Sequence, residues 1–382
     1  MHCYATDKDD ETDMPRWGKI GKQKIVDEGP LPPFPDMSKV PNMHDIPFLK
    51  AKYNMTTFDE DLVKSSCAFM DKAKQDGKPF FLWHNTTRMH VWTFLPPKYN
   101  AMQDSKTNYG LEEAGMAQLD DCVGALLKHL EEIGEADNTI VVFTTDNGAE
   151  QISFPDGGVT PFKGQKGEAW EGGYRAPLVI RWPGHIKPGT VKDQLFAALD
   201  WVPTFVDVAG GPKGDGLKQQ IEAGQYPNIV KTTLDGFDQR DYLEGNSDKS
   251  ARDHFFYYSG STPSAVRYKN WKMYYTMSQP GPAGWIMPLV PFHFTLVQNI
   301  KRDPFEQAVG IDQKTAMSIG GALAGPTTAF LYDWNLLPIG QQLWLKHLET
   351  YSIFPPLQAP ETYNLSGILA EVKKGLDKHP SD

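Results

Sequence analysis

The chain reads as an α/β protein: a mostly parallel sheet flanked by helices, followed by a small antiparallel sheet with a covering helix. Three observations predict this. Thr139-Ile-Val-Val-Phe-Thr-Thr145 is an apolar, β-branched segment that runs straight into Asp146-Asn147-Gly148, as a buried strand of an α/β sheet runs into its turn. Ahead of it, Met116, Leu119, Val123, Leu126, Leu127, Leu130 and Ile133 recur at spacings of three and four, the pattern of an amphipathic helix. From about residue 236 the composition shifts to short aromatic runs separated by polar turns, which predicts a separate antiparallel sheet.

In chain order, the first fifty residues are polar and proline-rich, with Gly29-Pro-Leu-Pro-Pro-Phe-Pro-Asp36 at their centre, so they predict an extended surface segment. Residues 57–76 predict a helix. Thr57 and Glu60 have the spacing of a capping box, Leu62, Phe69 and Met70 are its expected core contacts, and Gly77 ends it. Pro79-Phe-Phe-Leu-Trp83 predicts a buried strand, followed by the polar loop His84-Asn-Thr-Thr-Arg-Met-His90. The helix Leu111–Ile133, stopped by Gly134, then leads to the Thr139 strand, which predicts a right-handed β-α-β crossover. Leu178 to Arg181 predicts another core strand. Leu195 to Ala209, with Leu199, Val202, Phe205 and Val206, predicts a helix with Pro203 in mid-pattern.

Beyond it, Phe255–Tyr258, Ala265–Tyr275 and Phe294–Val297 predict strands, and helices around Leu343–Leu348 and Leu365–Leu376 are expected to cover them. Trp271 and the neighbouring tyrosines fit sheet packing better than a substrate platform. The expected domains are residues 1–235 and 236–382.

Composition removes several classes of function. At 382 residues the chain exceeds one compact core, and its 40% hydrophobic share is that of a globular protein. A formal net charge of −10 would repel a phosphate backbone, so no nucleic-acid partner is expected. There is no apolar run of about 18 residues, so no membrane span is expected, and the first residues are too polar for a signal peptide. Localisation and oligomeric state are not legible. Cys3, Cys67 and Cys122 are widely and irregularly spaced, which predicts free thiols rather than a disulfide framework or a zinc site. Asn54, Asn85 and Asn364 head N-x-S/T sequons that matter only in a glycosylating host.

The chemistry gathers after the Thr139 strand. Asp146 offers a carboxylate and Asn147 an amide carbonyl, oxygens that suit Ca²⁺ or Mg²⁺ at the carboxyl end of a strand, although a plain hairpin turn would use the same residues. The long Gly- and Pro-rich loop that follows holds Lys163 and Lys166 among glycines. A lysine there suits an oxyanion, and solvated surface lysines are the alternative.

Thr145-Asp-Asn-Gly148, then Gly164-Gln-Lys-Gly167, then Glu171-Gly-Gly-Tyr-Arg-Ala-Pro177 and Trp182-Pro-Gly184, in that order and spacing, closely resemble the sulfatase family of the alkaline-phosphatase-like superfamily. Pro79–Trp83 with His90, Leu199-Asp-Trp-Val-Pro-Thr204 and Asn299-Ile-Lys-Arg-Asp-Pro304 are similar to further family segments, so the resemblance runs from about residue 57 onward. It implies that Asp146 and Asn147 are half of a Ca²⁺ site and that His90 and Lys166 contact the sulfate oxygens. Lys163 matches that motif less well than Lys166, and His84 less well than His90. The family usually writes Pro-His-x-Pro where this chain has Met89-His-Val-Trp92.

The substrate implied is a sulfate ester, either a small molecule or a sulfated glycan. If residues 79–90 and 139–147 belong to one parallel sheet, His90, Asp146, Asn147 and Lys166 should converge on one cleft, with Glu171 and Arg175 behind them in support. The family's Cys-x-Pro-Ser-Arg motif, its early Asp-Asp and its Gly-Lys-x-His-Leu-Gly segment are not in this sequence. The resemblance therefore implies an incomplete sheet that begins late in the family pattern. It also implies a chain that does not turn over by itself. A phosphodiesterase or phosphonate hydrolase of the same superfamily, or a non-catalytic remnant, are the other readings.

Overall fold

The computed structural model describes residues 2–5, 24–30, 53–54, 56–90, 93–103, 106, 109–153, 157–226, 232–278, 283–307 and 330–354. The chain forms two compact units: Met1–Ile140 with Gln151–Gly158, and Val141–Glu150 with Val159–Asp382.

In the first unit, strands β1 (His2–Ala5), β2 (Lys24–Pro30) and β3 (Tyr53–Asn54) pair antiparallel in that order. Three helices follow: α1 (Phe58–Gln75), the single turn α2 (Pro97–Asn100) and α3 (Leu111–Glu132). Both long helices lie where the sequence places them. Asp59, Glu60 and Asp61 fill the first turn of α1, where carboxylates suit the positive end of the helix dipole. The expected capping box does not form. Thr57 makes no side-chain cap hydrogen bond, and Glu60 instead accepts from the Gln118 side-chain amide at 2.8 Å.

That displacement belongs to a buried polar joint between α1, α3 and the 84–90 loop. Arg88, only 5% exposed, donates to Gln118 at 2.9 Å and faces Asp59 at 3.9 Å. Asp59 also accepts the backbone N–H groups of Thr87 at 2.8 Å and Arg88 at 3.2 Å. A buried charge is tolerated only when paired and hydrogen-bonded. The inward faces of the two helices are therefore partly polar, while Phe69 and Met116, expected inside, lie exposed on the far faces.

Residues 79–83 correct the expected buried strand. A buried strand needs ladder neighbours, but no strand is assigned there, and Phe81 and Trp83 are 67% and 77% exposed.

In the second unit, β4 (Val141–Thr144) pairs antiparallel with β5 (Leu178–Arg181) through Val141↔Arg181 and Thr144↔Leu178. Among the described residues every strand pairing is antiparallel, so neither the parallel pairing nor the crossover expected between 79–83 and 139–144 is present. Among the described residues β4 and β5 have one partner each, so the described sheet does not bury them as core strands. Phe143, Leu178 and Val179 are exposed. Between them lies the single turn α4 (Glu171–Tyr174).

Helix α5 (Trp201–Val208) accounts for Pro203. The proline sits in the first turn, where its missing N–H costs no intrahelical bond. The buried residues of the helix are Pro203, Thr204 and Asp207, whereas Leu199 and Val202 are exposed. Asp200 causes this. Buried at the helix start, it accepts from Arg252 Nη2 at 2.7 Å and Nε at 3.0 Å, from the Ala197 N–H at 2.9 Å and from the Phe237 N–H at 2.8 Å. The short helices α6 (Gly216–Glu222) and α7 (Arg240–Glu244) follow.

Strands β6 (His254–Ser259), β7 (Thr262–Tyr268) and β8 (Trp271–Met277) lead, through the single turn α8 (Ala283–Ile286), to β9 (Val290–Asn299). They form the expected antiparallel meander, in the order β6-β7-β8-β9. Period-two alternation gives it two different faces. Val266, Met273 and Val297 pack under α9 (Leu337–Ile353), where Trp344 seats on the sheet. Tyr257, Ala265 and Tyr274 point the other way, against Ala169 and Trp170. The second tail helix, expected around Leu365–Leu376, lies outside the described residues, as does most of the proline-rich segment 29–36.

Candidate functional site

Three segments that stand apart in sequence meet backbone to backbone at the end of β4. The Gly148 N–H donates to the Gly173 carbonyl at 2.9 Å, the Gly172 N–H to the Lys163 carbonyl at 2.7 Å, and the Lys166 N–H to the Ala149 carbonyl at 3.0 Å. Glycine is required by distance. A Cβ on Gly148 would lie 1.7 Å from the Gly172 carbonyl oxygen, and one on Gly172 would lie 2.4 Å from that of Gly164. The Asp146-Asn147-Gly148 turn, the lysine loop and the Glu171-Gly-Gly turn are thus one packed unit.

The side chains it carries differ in setting. Asp146 is exposed and Asn147 is half-buried, with the Asn147 amide donating to the Gly148 carbonyl at 2.8 Å. Lys166 is half-buried, and its ammonium lies 2.9 Å from the Glu150 carboxylate. The backbone bond to Ala149 sets the Lys166 loop beside the Asp146-Asn147-Gly148 turn. Lys163 has a structural role. Its ammonium lies over the Trp170 ring at 4.2 Å, and burial pulls its pKa down against the opposing pull of Glu306.

Beneath this unit is a charge cluster. Glu171, 2% exposed, accepts from Lys272 at 3.0 Å and from the Tyr257 hydroxyl at 2.7 Å. Glu306 accepts from Lys272 at 2.9 Å, from the Tyr274 hydroxyl at 2.6 Å and from the Glu171 backbone N–H at 2.7 Å. Burial alone would raise the Glu171 pKa. Lys272 and Arg267, with hydrogen bonds from Tyr257 and Lys272, outweigh that and hold it down at about 2. Glu171 fits the supporting role expected of it, whereas Arg175 is exposed and lies 4.5 Å from the Phe162 ring centre.

His90 lies on the first unit, exposed, with its carbonyl accepting from the Thr93 hydroxyl at 3.0 Å. His84, its competitor in sequence, has Nδ1 2.9 Å from the Ser66 hydroxyl, and burial pulls its pKa down.

Asp146 and Asn147 fit a hard cation in kind but not in number. Their oxygens suit Ca²⁺, but a Ca²⁺ shell takes six to eight. No group of three or more His, Cys, Asp or Glu side chains able to hold a metal occurs among the described residues. Cys67 and Cys122 are free thiols. Among the described residues no helix is long and apolar enough to cross a membrane.

The sulfatase family model matches residues 13–211, more than half of the chain. Human arylsulfatase A is 33% identical over 239 residues, which are 62% of this chain and 41% of that protein. Human N-acetylgalactosamine-6-sulfatase is 37% identical over 161 residues, covering 41% of this chain and 29% of that protein. The chain spans less than half the length of these curated relatives. Among solved structures, the PsFucS1 sulfatase from Pseudoalteromonas sp. superposes with a TM-score of 0.64 at 26% identity, covering 80% of this chain and 55% of that one.

Proposed function

The chain belongs to the sulfatase family, with the α/β, alkaline-phosphatase-like fold of that family, and from that premise we propose that its second unit carries the anion-binding part of a sulfuric ester hydrolase site. Lys166 contacts the sulfate oxygens, and Asp146 and Asn147 would supply two of the oxygens for the divalent metal that sulfatases generally use. His90, on the first unit, takes a sulfate-contacting role on the resemblance of its segment alone. The observation that carries the reading is the backbone bond from Lys166 to Ala149. It fixes a lysine from a distant loop beside the turn that bears the two oxygen ligands.

The residue types suit the reaction. A sulfuryl group in transfer spreads negative charge over its oxygens, and a preorganised ammonium stabilises that charge without reorganising. A bound metal would add Lewis-acid stabilisation of the same oxygens. In this chain the Glu150 carboxylate holds the Lys166 ammonium in place, and the Gly148–Gly173 bond fixes the turn against which it is read.

The substrate we propose is a sulfate ester, by analogy with the arylsulfatase and N-acetylgalactosamine-6-sulfatase named above. Covalent catalysis needs an activated nucleophile. Cys3 stands before Tyr-Ala-Thr, Cys67 before Ala-Phe-Met and Cys122 before Val-Gly-Ala, and none of these is the family's nucleophile motif. Residues 1–382 alone are therefore expected to bind an aryl sulfate without hydrolysing it. The test is p-nitrophenyl sulfate with the purified chain. Saturable binding without nitrophenolate release is expected, whereas no binding, or turnover lost in Asp146→Ala, would overturn the reading.

A further inference from the structure

Trp285, in the β8–β9 connection, stands beside the lysine assigned to sulfate. Its indole N–H donates to the Lys166 carbonyl at 2.8 Å, and the Lys166 ammonium lies 5.7 Å from its ring centre. Yet the side chain is 46% exposed. The hydrogen bond fixes the ring, and an indole carries its large apolar area at low conformational cost. An ordered, half-exposed indole within cation–π range of an anion-binding ammonium offers two adjacent surfaces, one for charge and one for a flat apolar ring.

We propose that Trp285 is the platform for the ring of the sulfated substrate, and so the residue that selects ring-bearing sulfate esters over ringless ones. The proposal rests on Lys166 as the sulfate contact. With the sulfate on the ammonium, the ester oxygen leads directly to the indole, because the two lie 5.7 Å apart. The π face of an aryl group and the C–H face of a pyranose share the chemistry this surface accepts. The indole also lies against Gly167, where a Cβ would sit 3.5 Å from Nε1.

The experiment measures binding to the full chain by calorimetry with phenyl sulfate, glucose 6-sulfate and methyl sulfate as the ringless control. The wild-type chain should prefer the ringed esters. Trp285→Ala should weaken them about five- to tenfold and leave methyl sulfate unchanged, the size of one aromatic contact. Trp285→Phe should retain the preference, which separates the platform from the lost N–H bond. A larger loss for phenyl sulfate marks an aryl substrate, and a larger loss for glucose 6-sulfate a glycan. A ring preference that survives Trp285→Ala would overturn the platform while leaving the site reading intact. Methyl sulfate binding that is absent, or indifferent to Lys166→Ala, would overturn both.

Discussion

Glu306 accepts the backbone N–H of Glu171 at 2.7 Å. The residues are 135 positions apart, and the bond ties the turns after β9 to the turn that packs against Gly148. Lys272, fully buried between the two carboxylates, completes the tie. The C-terminal sheet is thus the floor on which the lysine loop is built.

Removing the cation should therefore be costly. Lys272→Met leaves two buried carboxylates facing each other and is expected to destabilise the chain by about 3–5 kcal/mol. Glu306→Gln leaves Lys272 paired with Glu171 and keeps one carbonyl acceptor, enough for the Tyr274 hydroxyl or for the Glu171 N–H but not for both, so it should cost less than losing the cation. Urea midpoints of the two variants check the order. A Lys272→Met variant as stable as wild type would contradict the cluster's role.

The cluster also sets an acid limit. The Glu171 pKa is depressed to about 2 from an ordinary 4.5, so its ionised form contributes stability that is complete above about pH 4.5 and is lost as pH falls towards 2. Stability measured by urea unfolding between pH 7 and 3 should fall in that window. The fall should be shallower in Glu171→Gln.

Part of this was legible in advance. The helices over Phe58–Gln75 and Leu111–Glu132 and the antiparallel C-terminal sheet follow from periodicity, but Ala265–Tyr275, read as one strand, is two strands that turn at Lys269-Asn270. Lys272 was not legible, because a lysine alternating with apolar residues in a strand reads as solvent-facing. Here both faces of the sheet are covered, and the charge is satisfied by carboxylates more than 30 residues away on either side. The exposure of Leu199 and Val202 has a related cause, since the buried Asp200–Arg252 pair takes the inner side of the helix start. Phe81 and Trp83 carry a strand's composition without a strand's neighbours, and composition does not record partners.

Metal affinity follows from the count of oxygens. Asp146 and Asn147 alone should bind Ca²⁺ at millimolar concentration or weaker. Calorimetry with CaCl₂ should show no micromolar event, and Asp146→Ala should weaken whatever millimolar binding is seen. A micromolar site would mean that other oxygens had been recruited.

Glu150 both places the Lys166 ammonium and competes with any anion that approaches it. Glu150→Gln should tighten inorganic sulfate by about two- to fivefold, the scale of one partly exposed ion pair. The gain should shrink at high ionic strength as screening removes the competition.

The most direct measurement is a calorimetric titration of inorganic sulfate into the 382-residue chain and its Lys166→Ala variant at equal ionic strength. The assignment of Lys166 predicts saturable binding by the wild-type chain and at least a tenfold loss in the variant, the scale of one charge-assisted hydrogen bond. Equal binding by the two proteins, with both shown to be folded, would contradict it.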